Sequence, residues 1–236
     1  MSNEGFGAWV STDESRLATV TGAEPPPHLD YPTQRRTITS MSQSARGGAP
    51  IDAFFAIPET ERFHEFYGGV LVPKAVPSGE HGGAQVGVVA CVAPRYQRRA
   101  GGGGPGGWWL ATEVEVRLDS GDIVRPDVLG WRRERCPERP TGTPVRVQPD
   151  WICEIISPEN AKNDTVKKLR LYHLTTIGHY WLLDPRDGTL TVMRWSQDGF
   201  VTILRAERHE TVHAEPFDAV ALSVSALFGD DPVDAP

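Results

Sequence analysis

Three residues carry chemistry that their neighbours do not. In GDIVRPDVLGW (121–131), Asp127 follows Pro126 in an otherwise apolar stretch. In PDWICEIIS (149–157), Glu154 sits among Trp151, Ile152, Cys153, Ile155 and Ile156. In DTVKKLRLYHL (164–174), Lys168 shares a face with Asp164 and Tyr172 at a spacing of four. A carboxylate in an apolar strand is costly unless it meets water, a counter-charge or a metal. Two such carboxylates beside a lysine suit a hard cation, Mg²⁺ or Mn²⁺, which prefers carboxylate and carbonyl oxygens and retains several waters. Asp127 and Glu154 offer two oxygens and the carbonyl of Ile155 a third. A bound ion lowers the pKa of its water and neutralises a phosphate oxygen. Lys168 then orients the attacking water and offsets charge building on phosphorus. Blander readings stay open: Asp127 as a solvated strand end, and Glu154 in a structural ion pair with Lys168 or an arginine.

The elements that would position these groups read as follows. IDAFFAIPE is a short helix ended by Pro58, and RFHEFYGGVLVPKA is a β-hairpin around Gly68 and Gly69. GEHGGAQVGVVACVAPRY is a glycine-containing helix, followed by the flexible loop RRAGGGGPGG (98–107). That loop lacks the lysine and Ser/Thr of a phosphate loop. WWLATEVEVRL alternates as one strand, with Val114, Val116 and Leu118 on one face and Glu113, Glu115 and Arg117 on the other. IVRPDVLGW and WICEIIS are further strands. A helix capped by Asn163 or Asp164 and packed along Val166, Leu169 and Tyr172 ends near Gly178. HYWLLD, TLTVMRW and FVTILRA complete the strands, before a short helix near Val224–Phe228. One crossover helix between two apolar strands, then hairpins, predicts a mixed α/β sheet.

The chain has 236 residues, enough for one domain with extensions or at most two small ones, and its 24 Gly and 20 Pro cluster in loops and tails. Residues 1–50 read as an irregular arm, with a weak strand near Ala8–Val10 or Leu17–Val20. Residues 51–228 read as the domain and 229–236 as an acidic tail. The net charge of −7 argues against a general electrostatic grip on nucleic acid but leaves room for a local basic groove. Arg132, Arg133 and Arg135, with Arg95, Arg98 and Arg99, are candidates to rim one, against the alternative of a solvated loop. Three cysteines without a CxxC spacing make a disulfide framework or zinc site improbable. No apolar run approaches a membrane span, so a soluble, cytoplasmic protein is expected.

PD at 126–127, EIISP at 154–158, D-x-x-x-K-L-x-x-Y at 164–172 and YW-x-x-DP at 180–185 occur in one order. Together with RFHEFYGGVLVPKAVPSGEH upstream, they resemble the Uma-type restriction endonuclease family, within the PD-(D/E)XK nuclease superfold. The resemblance covers roughly residues 51 to 205. It implies a restriction-endonuclease-like core, a mixed β-sheet flanked by helices in the α/β (α+β) class. It implies a Mg²⁺-dependent DNA endonuclease, with Asp127 and Glu154 as metal ligands and Lys168 as the superfold's lysine, moved to the helix. Glu65 becomes a further ligand or water binder, and His81 a groove residue. DNA and a divalent metal are the implied partners; homodimers are common in the superfold, although no residue here specifies one. The sequence departs from the pattern at position 156, which is Ile where a strict D/E-x-K places lysine, and at YGGV, which lacks the family's acid after the turn. An alternative is a catalytically inactive nucleic-acid-binding or protein-interaction module on the same fold.

Overall fold

The computed structural model describes residues 51–101, 104–158 and 161–231. The expected arm over 1–50, with its weak strand, lies outside them, as does most of the acidic tail. Helix α1 (Ile51–Phe55) and a single 3₁₀ turn (Glu59–Glu61) lead into β1 (His64–Tyr67) and β2 (Val70–Pro73). These two strands pair antiparallel, from His64↔Pro73 to Tyr67↔Val70. Gly68 and Gly69, at φ 61° and 74°, form the two-residue turn that needs positive φ twice.

Helix α2 (Gly79–Tyr96) starts at Ser78, whose side chain accepts from the His81 N–H. Its glycines have a packing reason. A Cβ on Gly87 would lie 2.5 Å from the Ala226 carbonyl oxygen, in α4 (Val224–Leu227), so the two helices touch through backbone.

The remaining strands are β3 (Trp108–Thr112), β4 (Val116–Arg117), β5 (Ile123–Val124), β6 (Val128–Arg132), β7 (Trp151–Ile155), β8 (His179–Asp184), β9 (Thr189–Ser196), β10 (Gly199–Glu207), β11 (Thr211–Val212) and β12 (Leu222–Ser223). A six-stranded sheet runs β10-β9-β8-β7-β6-β3, a four-stranded sheet runs β2-β1-β5-β4, and β11 pairs with β12. Within the six-stranded sheet only β7 and β8 are parallel. Between them a π-helical stretch (Asn163–Lys168) continues into α3 (Leu169–Leu174) and supplies the crossover. The class is the mixed α+β expected from the order of elements. No helix among the described residues is long and apolar enough to cross a membrane.

Both faces of the large sheet are covered. Trp151, Cys153, Ile155, Trp181 and Leu183 pack with α2, α4 and Phe217 on one side. Leu129, Trp131, Ile152, Tyr180 and Leu182 pack with Leu171 and Tyr172 on the other. Cys153, free like the other two cysteines, is buried in the first layer, the small core residue expected.

Two expected strands are each broken. WWLATEVEVRL splits into β3 and β4, which belong to different sheets, and the break falls at Glu113, a non-glycine residue at φ 56°. IVRPDVLGW splits into β5 and β6 in the same two sheets, at Arg125–Pro126–Asp127. Pro126 has no N–H to continue a ladder, and its carbonyl instead accepts from the Glu113 N–H at 3.2 Å. The alternation rule fails here because it assumes one sheet. Glu115, expected on an outer face, is buried and takes a two-point contact from Arg62 (3.0 and 2.8 Å) and a third from Arg125 (2.7 Å).

Candidate active site

The strand break positions Asp127 and the sheet register positions Glu154. Val128 pairs with Cys153 across β6 and β7, so one step further Asp127 stands opposite Glu154. Alternation puts Glu154 on the side of Ile152 and Ile156, the face covered by α3. There Lys168 Nζ lies 3.0 Å from Glu154 Oε1, and the Tyr172 hydroxyl donates to the same oxygen at 2.7 Å. Lys168 also lies 3.0 Å from Glu65 Oε1 on β1 and 3.5 Å from Asp164 Oδ1. One buried ammonium therefore serves three carboxylates. The buried face of this helical segment is Asp164, Lys168, Leu171 and Tyr172, whereas Val166 is 39% exposed. The expected apolar stripe through Val166 is thus rotated off the sheet. Asp164 is a buried partner of Lys168 rather than a helix cap.

Asp127 has its own surroundings. Its Oδ2 accepts from the Ile155 backbone N–H at 2.7 Å. Its Oδ1 lies 2.8 Å from Lys74 Nζ and 3.3 Å from His81 Nε2. Lys74, just past β2, also reaches Glu113 Oε2 at 3.0 Å, and Gln85 of α2 donates to the Asp127 carbonyl at 2.8 Å. Lys74, His81, Asp127, Glu154, Asp164 and Lys168 line one narrow cavity. It shares His81 and Ser157 with a wider cleft of about 670 Å³ that extends to Pro158 and Arg186. His81 Nδ1 and Ser157 Oγ are buried without a hydrogen-bond partner among the described residues.

Five carboxylates, Glu65, Glu113, Asp127, Glu154 and Asp164, thus surround two lysines. Burial pushes the Glu154 carboxyl up to about 8, with Lys168 opposing and Asp127 and Asp164 adding to the rise. Burial likewise moves Asp164 up to about 6 against the pull of Lys168. Asp127 goes the other way: burial raises it, but Lys74, His81 and Lys168 together hold it well below the usual carboxylate range. Burial pulls Lys168 down, yet Glu154, Glu65 and Asp164 outweigh it and keep the ammonium firmly charged. The cluster is short of positive charge, and its donors are mainly carboxylate oxygens. That set fits a hard divalent cation. His81, Glu113 and Asp127 offer ligand atoms within 4.8 Å of one another, and Asp127 belongs to this trio as well as to the pair with Glu154.

Of the residues singled out in the sequence, Asp127, Glu154, Lys168, Glu65 and His81 converge, and the Ile155 backbone is tied to Asp127. Arg132 and Arg133 do not join them. They lie at the far end of β6, roughly 16 Å of strand away at ~3.3 Å per residue. The sequence reading gave no site role to Lys74 or Glu113, and placed Asp164 on the face of Lys168 only as a candidate helix cap. Lys74 lay inside a quoted motif, VPKAVPSGEH, without a reason to single it out. Glu113 was hidden by an alternation that the strand break interrupts.

Comparisons with known proteins bear on the family and the fold. No curated protein matches the chain. Among solved structures, one titled a putative nuclease belonging to DUF820 from Anabaena variabilis ATCC 29413 superposes with a TM-score of 0.56 at 24% identity, over 75% of this chain and 96% of that one. It shows that the fold is one shared with a structure so titled. A second, a cryo-EM structure of the DrdV–DNA complex, overlaps 53% of this chain and 10% of that one at 17% identity, and its TM-score of 0.30 is too low to carry an argument. The Uma2 family, described as "Putative restriction endonuclease", matches residues 51–225, most of the chain, and the protein belongs to that family.

Proposed function

We propose that this protein is a Mg²⁺- or Mn²⁺-dependent DNA endonuclease that hydrolyses phosphodiester bonds with a metal-activated water. The observation that carries the reading is the convergence of Asp127, Glu154 and Lys168, from the break before β6, β7 and the crossover helix, on one cavity, with Glu65 of β1 meeting the same Lys168 and five carboxylates in all around two lysines. A purely structural ion pair has no need of the surplus carboxylates.

Asp127 and Glu154, with the Ile155 carbonyl, hold the ion, and His81 and Glu113 flank Asp127. When bound, the ion supplies Lewis acidity toward a phosphate oxygen and lowers the pKa of a coordinated water. The Ile155 N–H and Lys74 fix the Asp127 carboxylate and keep it ionised. Tyr172 and Lys168 fix Glu154 through one shared oxygen. Lys74, in the cavity lining, offsets negative charge brought by the phosphate. His81, with Nε2 toward Asp127, forms part of the wall shared by the cavity and the wider cleft.

The test is cleavage of supercoiled plasmid and of single-stranded DNA in Mg²⁺ and in Mn²⁺, comparing wild type with Asp127→Asn and Glu154→Gln. Cleavage by wild type alone supports the reading. Equal inactivity of all three over both substrates defeats the enzyme and favours the inactive binding module. A calorimetric Mg²⁺ titration then separates the two: a site lost in Asp127→Asn eliminates the idle module.

A further inference from the structure

At the end of β6 away from the carboxylates, Arg99, Trp108, Trp109, Arg132, Arg133 and Pro137 line a second cleft of about 550 Å³. The chain after α2 folds back to build its wall: the Gly106 N–H donates to the Arg95 carbonyl and the Gly107 N–H to the Arg98 carbonyl. This return requires glycine, because Gly106 has φ 57° and a Cβ there would lie 2.5 Å from the Arg99 carbonyl oxygen.

Arg133 is held at three points. Its N–H donates to the Gly107 carbonyl at 2.8 Å, its Nε to the Trp108 carbonyl at 2.9 Å, and its guanidinium lies 3.5 Å above the Trp109 ring centre. Arg139 sits 5.2 Å from the same ring, and Arg132 lies 4.8 Å over Trp108. Among the described residues, no ion pair joins Arg99, Arg132, Arg133 or Arg139 to a carboxylate. Glu134 lines the cleft too, but it is exposed and pairs with none of them. Burial, and then the charges of Arg99 and Arg139, lower the affinity of Arg133 for its proton. Like charges are thus gathered in a chain whose net charge is −7. An anion relieves that repulsion, and pinned guanidinium groups lose little freedom in binding one.

We propose that this cleft grips the phosphate backbone of a nucleic acid strand away from the scissile bond, as an anchoring subsite; the proposal rests on the nuclease reading above. Asp127 and Arg133 flank β6 at its two ends, and the strand between them is covered on both faces. Six residue steps at ~3.3 Å put them roughly 20 Å apart in a straight line, so a strand that joins the two sites over the surface spans at least about six nucleotide steps at ~3.4 Å each.

The full-length protein is titrated with a fluorescein-labelled duplex of about 20 base pairs, and with one of about 4, over a series of salt concentrations with Ca²⁺ present. Arg99 and Arg139 are exposed, so Arg99→Ala/Arg139→Ala leaves the fold intact; Arg133→Ala is the second variant. On the long duplex the double variant raises Kd about tenfold and reduces the slope of log K against log salt by about 2. The short duplex does not distinguish variant from wild type. Unchanged affinity and slope on the long duplex overturn the subsite while leaving the nuclease reading intact. Displacement of the long duplex from wild type by millimolar inorganic phosphate, with the double variant resistant, also overturns it, because the occupant is then a small anion. If wild type binds neither duplex, the nuclease reading falls and takes the subsite with it.

Discussion

Glu154→Gln separates a cation-binding centre from a structural ion pair by stability alone. The substitution keeps the shape and the acceptor oxygen used by Tyr172 and Lys168, and Lys168 retains Glu65 and Asp164, so it orphans no buried charge. In the folded protein the Glu154 carboxyl moves from 4.5 to about 8. A carboxyl raised on folding binds its proton more tightly in the folded chain. Its contribution is therefore complete below pH 4.5, declines as pH rises and is lost by about pH 8. At ~1.4 kcal/mol per pH unit the full shift corresponds to about 5 kcal/mol. Asp164, raised to about 6, shares Lys168 and contributes to the lower part of that window, so the fall between pH 6 and 8 belongs mainly to Glu154. That upper part corresponds to about 3 kcal/mol, or roughly 6–12 °C in Tm for a domain of this size. Thermal unfolding is followed by circular dichroism in a chelator from pH 5 to 9. Wild type loses Tm between pH 6 and 8; Glu154→Gln stays nearly level and exceeds wild type at pH 8. Added Mn²⁺ restores wild type at pH 8 and leaves the variant unchanged. A wild-type Tm that holds or rises across pH 6–8, or a variant that falls in parallel with it, refutes the reasoning.

Three other outcomes are expected. Lys74→Met removes the strongest charge holding Asp127 ionised, so the Asp127 carboxyl titrates at least about one pH unit higher, read from its side-chain carboxyl carbon shift in an NMR titration. Gly87→Ala forces a Cβ to within 2.5 Å of the Ala226 carbonyl and lowers Tm through an overpacking cost of about 1–3 kcal/mol, with metal affinity preserved by calorimetry. Arg62→Met removes a two-point contact to buried Glu115 while Arg125 stays as its one described cationic partner, and costs about 1.5–3 kcal/mol in urea unfolding.

The misplaced acids were legible because the cost of a buried carboxylate is a local property. Glu154 among isoleucines and Asp127 after Pro126 are visible in a window of a few residues, and Lys168 follows from helical spacing once Asp164 and Tyr172 are aligned with it. Lys74, Glu113 and Glu115 were not legible, because their environment depends on two strands changing sheets at one level. Alternation through 108–118 assigns Glu115 to an outer face; only the break at Glu113 turns it inward to Arg62 and Arg125. Arg132 and Arg133 were grouped with the site by charge, whereas β6 carries them to its opposite end.

The two broken strands have a consequence for the order in which the chain is made. Asp127 belongs to the junction between two sheets, Glu65 arrives from the small sheet, and Glu154 and Lys168 come from the central strand and crossover of the large one. A chain leaving the ribosome exposes Glu65 and Asp127 before the segment bearing Glu154 and Lys168 exists. On the proposed assignment, the half-made protein has acids but no assembled centre. Hydrolytic capacity then arises only once the long-range pairings that join these four residues have closed, which ties the onset of a hazardous activity to assembly of both sheets.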